Sequence, residues 1–249
     1  MSSRFFRNAA AGTIVQKLCI KAVCERKLIN EGDRVLIAAS GGKDSTVLAW
    51  ALSAIRPALK INYGLEALHI SGDFDSCYTN NALPELLAGW GIPYTDLFVP
   101  VMGRLKEGKK MNCYWCSTQR RTELIKYAIE HNFNKIALGH HLDDIVETLF
   151  MNMCSKGRME AMPIMLQYRK YPLGIIRPLA FLEEQQIITY ADEQGILKTA
   201  STCPFGQNSQ RRDFRRSIAA FVAESGLKPG EVKRAILRSL SAPVDYLTQ

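Results

Sequence analysis

The sequence contains no apolar run of about 18 residues, the length that a membrane-spanning helix requires. Residues 1–8 lack the apolar core of a secretory signal peptide. Both absences predict a cytoplasmic protein with no membrane partner. Thiols stay reduced in that compartment, so the seven cysteines are expected to act as thiols, metal ligands or catalysts rather than as disulfides.

Internal repeats and low-complexity linkers are also missing. A chain of 249 residues with 47% hydrophobic residues can bury one core, so a single domain over residues 1–249 is predicted. We expect an N-terminal helix to about residue 28 and an α/β core from about 29 to 200. A loop and a basic helical tail should follow, from about 201 to 249.

The chain lacks the common P-loop but carries another glycine turn between a predicted strand and a predicted helix. This turn is Ser40-Gly41-Gly42-Lys43-Asp44-Ser45. Backbone N–H groups and a helix N-terminus meet at one anion in such a turn, and glycine lets a phosphate come close. The serine hydroxyls add donors, Lys43 can stabilise negative charge, and a carboxylate such as Asp44 beside a polyphosphate is typical of Mg²⁺ binding. A tight turn without a ligand is the alternative.

Two further strand ends are predicted at the same edge of the sheet. Ala38 closes the first strand, and His69 and Ile70 close the second, where their backbone atoms are placed to contact a nucleotide base. A plain core histidine is an equal alternative for His69. The later stretch from Gly139 through His140, His141 and Leu142 to Asp143 and Asp144 predicts a strand end, a glycine turn and a helix start.

The two aspartates of that stretch suit a helix N-terminus, where the helix dipole favours carboxylates. Their position at a strand end also favours a share in Mg²⁺ binding or in orienting a substrate base. Asp143 and Asp144 are therefore candidate catalytic residues together with Lys43 and Asp44.

A Cys-x-x-Cys pair, Cys113 and Cys116, suits Zn²⁺, an iron–sulfur centre or a redox dithiol. Two sulfurs do not complete a metal site, and Cys203, in a polar loop, is the strongest further candidate. The other cysteines have weaker claims. Cys19, Cys24 and Cys154 are interpreted as packing thiols and Cys77 as a loop thiol.

The formal net charge is +8, and nine basic against three acidic residues lie between Lys198 and Arg238. Charge concentrated in one segment favours a nucleic-acid backbone as the partner, with a solvated helix face as the alternative. Tyr114 and Trp115 are placed either to stack on a base or to pack in the core.

These motifs, in their order along the chain, closely resemble the tRNA 2-thiocytidine synthetase family, the TtcA-type PP-loop tRNA thiolases. The likeness includes 29–35, 139–153, 161–163 and 176–180. It implies a Rossmann-like open parallel sheet of the adenine nucleotide alpha hydrolase type. It also implies ATP and Mg²⁺ at the glycine turn and a [4Fe–4S] cluster held by Cys113, Cys116 and Cys203.

The resemblance implies ATP-dependent sulfur transfer to a tRNA pyrimidine, with cytidine C2 as the expected atom and an adenylated base as intermediate. A sulfur donor is then required, either sulfide or a persulfide carrier such as a cysteine desulfurase, and a homodimer is among the expected assemblies. Two alternatives stay open. One is another PP-loop sulfurtransferase or amidating enzyme with a different substrate, and the other is an RNA-binding module stabilised by a structural metal.

Overall fold

The computed structural model describes residues 10–73, 82–196 and 210–240. The helices there are α1 Ala10–Glu25, α2 Lys43–Ala54, α3 Arg56–Leu59, α4 Ala82–Gly89, α5 Cys113–Glu130, α6 Leu142–Lys156, α7 Glu184–Glu193, α8 Gln210–Glu224 and α9 Pro229–Ser239. The strands are β1 Arg34–Ala38, β2 Gly64–Gly72, β3 Tyr94–Val99, β4 Lys135–Ala137, β5 Met165–Gln167 and β6 Gly174–Ile176. No helix in these ranges is long and apolar enough to cross a membrane.

The six strands form one sheet in the order β3-β2-β1-β4-β6-β5. All neighbours are parallel except the edge strand β5, which is antiparallel to β6. The chain fills the sheet outward from β1 through β2 to β3 and then continues on the other side of β1 with β4. The boundary between β1 and β4 is thus the topological switch point, where open α/β sheets bind their ligands.

Three apolar clusters hold the layers together. The first joins one face of the sheet to α1, α2 and α7. The second joins the other face to α5, through Leu36, Leu68 and Leu124 among others. The third lies between α6 and the C-terminal helices α8 and α9. The expected parallel α/β sheet, with an N-terminal helix and a basic helical tail, is confirmed.

Two local expectations about cysteines are wrong. Cys24 and Cys154 were expected to pack, but both are exposed, whereas Cys19 is buried in the first cluster. Cys24 lies in the last turn of α1 and Cys154 in the last turns of α6, where fewer neighbours cover the helix. Cys77 lies outside the described residues, as does Cys203.

Candidate active site

The glycine turn follows β1 directly and leads into α2, as the sequence predicts. Gly41 has a φ of +79°, in the left-handed region that favours glycine. Gly42 is the N-cap residue of α2 and makes no side-chain cap, so the first N–H groups of the helix point outward without an acceptor from their own helix. An uncapped helix N-terminus beside glycines fits a phosphate group.

The serines of the turn hold one another. The Ser40 and Ser45 hydroxyls are 3.0 Å apart, and Ser45 Oγ also accepts the Ser40 N–H at 3.2 Å. Ser45 Oγ donates to the Gly42 carbonyl at 3.0 Å. The hydroxyls therefore shape the turn before any ligand arrives, which is the preorganisation that a phosphate site requires.

Gly139, at the end of β4, brings the second strand end against this turn. A Cβ at Gly139 would lie 3.0 Å from the Asp44 carbonyl carbon and from the Ser45 nitrogen. The backbone of the β4–α6 loop thus touches the start of α2, and glycine is needed for that close approach.

The Gly139→Ala variant is therefore expected to push the start of α2 away and to raise the KM for ATP about tenfold, since small misplacements of binding groups are costly. Gly89→Ala is the matched control, because a Cβ at Gly89 meets nothing within 4 Å. Steady-state kinetics of the two variants check the expectation. Equal KM values for both would show that the contact at Gly139 does not position the turn.

A cavity of about 280 Å³ opens beside the turn at the carboxyl ends of the strands. Ala38 and Ser40 line it from β1 and the turn, and Leu138 and His140 from the end of β4. Apolar side chains of the second cluster form the remaining wall, and Ser117, Arg120 and Arg121 of α5 complete it. Its size and apolar wall fit a purine or pyrimidine ring.

The structure separates the two residues predicted at the end of β2. The Ile70 side chain lines the cavity. His69 points to the other face of the sheet, where it is 3% exposed and its Nδ1 lies 2.6 Å from the Ala39 carbonyl oxygen. For the His69 side chain the core alternative therefore holds.

Lys43 is held at the mouth of the turn by two carboxylates. Its Nζ lies 2.9 Å from Glu184 Oε1 and 3.1 Å from Asp44 Oδ1. Burial lowers the pKa of Lys43, but the Asp44 and Glu184 carboxylates outweigh burial and raise the pKa above its ordinary value. The lysine is thus a fixed positive charge beside the helix N-terminus.

The predicted aspartates lie around the buried ring of His141. Its ring nitrogens lie 3.4 Å from Asp144 Oδ2, 3.6 Å from Asp143 Oδ2 and 4.0 Å from Asp44 Oδ1. Burial lowers the pKa of His141, yet the Asp143, Asp144 and Asp44 carboxylates outweigh it and raise the pKa above the ordinary value. Helix α6 begins at Leu142 with His141 as its N-cap, so His140 precedes the helix.

Both oxygens of Asp143 are used within the protein. Oδ2 accepts the Glu184 N–H at 2.8 Å, and Oδ1 accepts a hydrogen bond from Lys233 of α9. Burial raises the pKa of Asp143, but the hydrogen bonds from His141 and Lys233 outweigh burial and hold the pKa well below its usual range. Asp144 Oδ2 accepts the His141 N–H at 3.0 Å and so stabilises the start of α6.

Arg215 of α8 and Lys233 of α9 complete this network. Their contacts and those of Glu184 were not predicted from the sequence. Arg215 of α8 donates to Glu147 Oε1, and its Nη1 lies 2.7 Å from Glu184 Oε2. A continuous chain of contacts therefore runs from α6 through Arg215 and Glu184 to Lys43. These residues are far apart in sequence, and no local pattern reveals the pairing.

The same contacts change the interpretation of the basic tail. Lys233 and Arg215 face core carboxylates, and Arg234 lies 2.9 Å from Glu183 Oε1. Arg216 and Lys228, by contrast, keep 78% and 84% of their side chains exposed. Part of the charge predicted to meet a nucleic acid instead fastens the tail to the core.

The Cys-x-x-Cys pair lies in the first turn of α5. Asn112 is the N-cap and accepts the Trp115 N–H at 2.9 Å, so the helix begins at Cys113. Cys113 is exposed and Cys116 is half-buried. Tyr114 is 80% exposed, whereas Trp115 packs in the second cluster.

Two of the three cysteines expected to hold a cluster, Cys113 and Cys116, lie among the described residues, and their thiolates suit such a cluster. Residues three apart on a helix share a face, so both sulfurs address one side of α5. That face continues through Ser117 and Arg120 into the wall of the cavity. Within the described residues no group of three histidine, cysteine or acidic side chains is arranged to hold a metal, and Cys203, the expected third ligand, lies outside them.

For Mg²⁺ the structure favours Asp44 among the predicted carboxylates. Asp143 is committed to Lys233 and the Glu184 N–H, while the Asp44 side chain is 33% exposed at the mouth of the turn. A hard cation with carboxylate and phosphate ligands suits this position.

Comparison with known proteins decides the family. A family model described as a PP-loop domain, ATP_bind_3, matches residues 13–219. The tRNA-cytidine(32) 2-sulfurtransferase of Dichelobacter nodosus is 34% identical over 212 residues, which cover 83% of this chain and 79% of that protein. The chain belongs to the PP-loop tRNA 2-thiocytidine synthetase family. The family predicted from the sequence is thereby confirmed.

One further relative in sequence and two solved structures are also similar to this chain. The tRNA-cytidine(32) 2-sulfurtransferase of Stenotrophomonas maltophilia is 36% identical over 77% of this chain, but the match spans 64% of that protein. The U34-tRNA thiolase NcsA from Methanococcus maripaludis, solved with its [4Fe–4S] cluster, shares the fold. Its TM-score is 0.74 at 24% identity, over 96% of this chain and 81% of the other. The NH3-dependent NAD synthetase of Campylobacter jejuni has a TM-score of 0.52 at 14% identity, over 95% and 99%.

Proposed function

We propose that this chain is an ATP-dependent tRNA sulfurtransferase that replaces the C2 oxygen of a cytidine with sulfur. The observation that carries the proposal is the convergence of two features on one cavity: Ser40 of the glycine turn lines it, and the helix face that bears Cys113 and Cys116 continues into the part of its wall that α5 forms. The relatives named as tRNA-cytidine(32) 2-sulfurtransferases support the same activity.

The proposed reaction has two steps. The C2 oxygen of the base attacks the α-phosphorus of ATP, the α–β phosphoanhydride bond breaks, and pyrophosphate leaves. Hydrosulfide then adds to C2, AMP departs with the former base oxygen, and one proton is released. Activation is needed because a pyrimidine carbonyl oxygen is a poor leaving group and an adenylate is a good one.

The residues of the turn are proposed to hold and orient the phosphates. The N–H groups at the start of α2 and the Ser40 and Ser45 hydroxyls bind them, Gly41 and Gly42 allow the close approach, and Lys43 stabilises negative charge on the leaving pyrophosphate. Asp44 is proposed as the Mg²⁺ ligand. We assign Asp143 and Asp144 to positioning, since they fix the α6 N-terminus and, through Glu184, the place of Lys43.

The base ring is proposed to bind against Ala38, Ile70, Gly139 and the residues next to Gly139. Cys113 and Cys116, with Cys203, would hold a [4Fe–4S] cluster, as the thiolase NcsA holds one. When bound, such a cluster with three protein thiolates supplies an iron coordination site for the incoming sulfide. The described residues contribute the first turn of α5, which bears Cys113 and Cys116 and from which the helix continues into the wall of the cavity.

The test is tRNA thiolation by protein purified without oxygen, supplied with ATP, Mg²⁺, sulfide and unmodified tRNA. Mass spectrometry of the digested RNA should show 2-thiocytidine, with AMP and pyrophosphate released in proportion. ATP turnover without RNA would favour the alternative PP-loop enzyme with another substrate. Bound zinc without iron, together with absent turnover, would favour the structural-metal module.

A further inference from the structure

A buried arginine beside the cavity has a donor that nothing in the described chain satisfies. Arg177 follows β6 directly and is 7% exposed. One Nη donates to the Pro163 carbonyl, but Nε is buried without a hydrogen-bond partner among the described residues. An unmet donor on a buried charge is costly, and such a group calls for a ligand or a function.

The position of Arg177 places its side chain on the cavity side of the sheet. Ile175, two residues earlier, lines the cavity, and side chains alternate between faces along a strand. Arg121 of α5 lines the same cavity. Leu173, which precedes β6 and shares the face of Ile175, belongs to the same apolar cluster as Leu124 of α5, so Arg121 and Arg177 both lie on the α5 side of the sheet.

The two arginines also act on each other electrostatically. Burial lowers the pKa of Arg177, and the positive charge of Arg121 lowers it further, to about 10, while Asp144 and Tyr168 act in the opposite direction. No acidic side chain of the described residues lines the cavity. Two like charges therefore lie on one side of the sheet, beside a cavity whose described wall supplies no carboxylate.

The chemistry of the missing partner follows from these features. A planar guanidinium with unmet N–H donors matches the oxygens of a phosphate group. In the proposed function the triphosphate of ATP is held at the N-terminus of α2, which packs on the other face of the sheet from α5. An RNA nucleotide whose base enters the cavity carries its own backbone phosphates to the entrance, on the side of α5.

We propose that Arg121 and Arg177 bind one backbone phosphate of the substrate RNA, next to the nucleotide that enters the cavity. This inference rests on the proposed function and adds a specific contact to it. The phosphate relieves the repulsion between the two arginines.

The test measures RNA affinity as a function of salt for wild type, Arg121→Gln and Arg177→Gln. Removing one phosphate contact should lower affinity about tenfold and reduce the slope of log affinity against log salt by about 0.7–1. The ATP KM should stay unchanged. Lys60→Gln, which removes an exposed charge near the amino-terminal edge of the sheet, is the control and should keep the wild-type slope.

A second, independent test uses a set of RNAs that each carry one neutral methylphosphonate linkage at a different position. One linkage should weaken binding to wild type but leave binding to Arg121→Gln unaffected. An unchanged salt slope in Arg121→Gln overturns the site even if Arg177→Gln fails to fold. A raised ATP KM with unaltered RNA binding also overturns it, since the ligand would then be a nucleotide phosphate.

The outcomes separate this site from the proposed function. Wild-type protein that forms 2-thiocytidine while Arg121→Gln keeps its salt slope refutes the phosphate site alone. Wild-type protein that shows the coupled phosphate effect but forms no thiolated nucleoside refutes the proposed function alone. A wild type that binds no RNA refutes both.

Discussion

The Cys116→Ser variant is expected to lose bound iron and to thiolate tRNA more than about 100-fold more slowly, because even changes outside the ligand shell cost that much at metal sites. ATP affinity should change by less than about twofold, since the glycine turn and α2 lie on the other side of the cavity from α5. Iron and sulfide analysis, absorption spectra and the thiolation assay on protein purified without oxygen measure the effect.

Cys154→Ser provides the matched control for this prediction. Cys154 is an exposed thiol in the last turns of α6, away from the first turn of α5. It should retain wild-type iron and activity. Cys203→Ser tests the third expected ligand and should behave like Cys116→Ser. Full iron content and normal thiolation in Cys116→Ser would refute the assignment of the cluster to α5.

Lys43→Ala is expected to lower kcat by about 100- to 1000-fold, the usual cost of removing one preorganised electrostatic contact to the reacting group. Lys43 is held between Asp44 and Glu184, so its charge is aimed before ATP binds. The substitution also leaves these two carboxylates beside the polyphosphate without their cation. Repulsion should therefore weaken ATP binding as well, measured as a raised KM.

The control for Lys43→Ala is Lys21→Ala. Lys21 also pairs with a carboxylate, Glu25 at 3.8 Å, but it lies on the exposed face of α1 with 57% of its side chain accessible. Exposed pairs of this kind contribute little, so kcat and KM should stay at wild-type values. Lys43→Ala with activity within about threefold of wild type would show that the turn acts without its lysine.

Features encoded by neighbouring residues could be predicted from the sequence. The glycine turn lies between β1 and α2 as expected. The family resemblance implied the parallel sheet, and the predicted strand ends indicated the edge where the cavity opens. The Cys-x-x-Cys pair was found from its spacing, but its place in the first turn of a helix was not predicted, although Asn112 is a typical N-cap residue.

Features that depend on distant residues could not be predicted. Glu184 pairs with Lys43, which is 141 residues away in the sequence. Arg215 and Lys233 form ion pairs with carboxylates of the core. Counting charges in the tail gave its sign but not which charges were already neutralised. In the sequence, Arg177 is marked only as part of the 176–180 stretch that resembles the family. The burial of its side chain and an Nε without a partner among the described residues are visible only in the folded chain.

The link from Lys43 through Glu184 to Arg215 has a consequence for the order of events during synthesis. A ribosome releases the glycine turn well before α8, and domains fold as the chain emerges. Until α8 docks, Glu147 and Glu184 lack their arginine, and the lysine is not yet fixed. The nucleotide site is therefore finished only after α8 has emerged, so a protein terminated before α8 should turn over ATP more slowly.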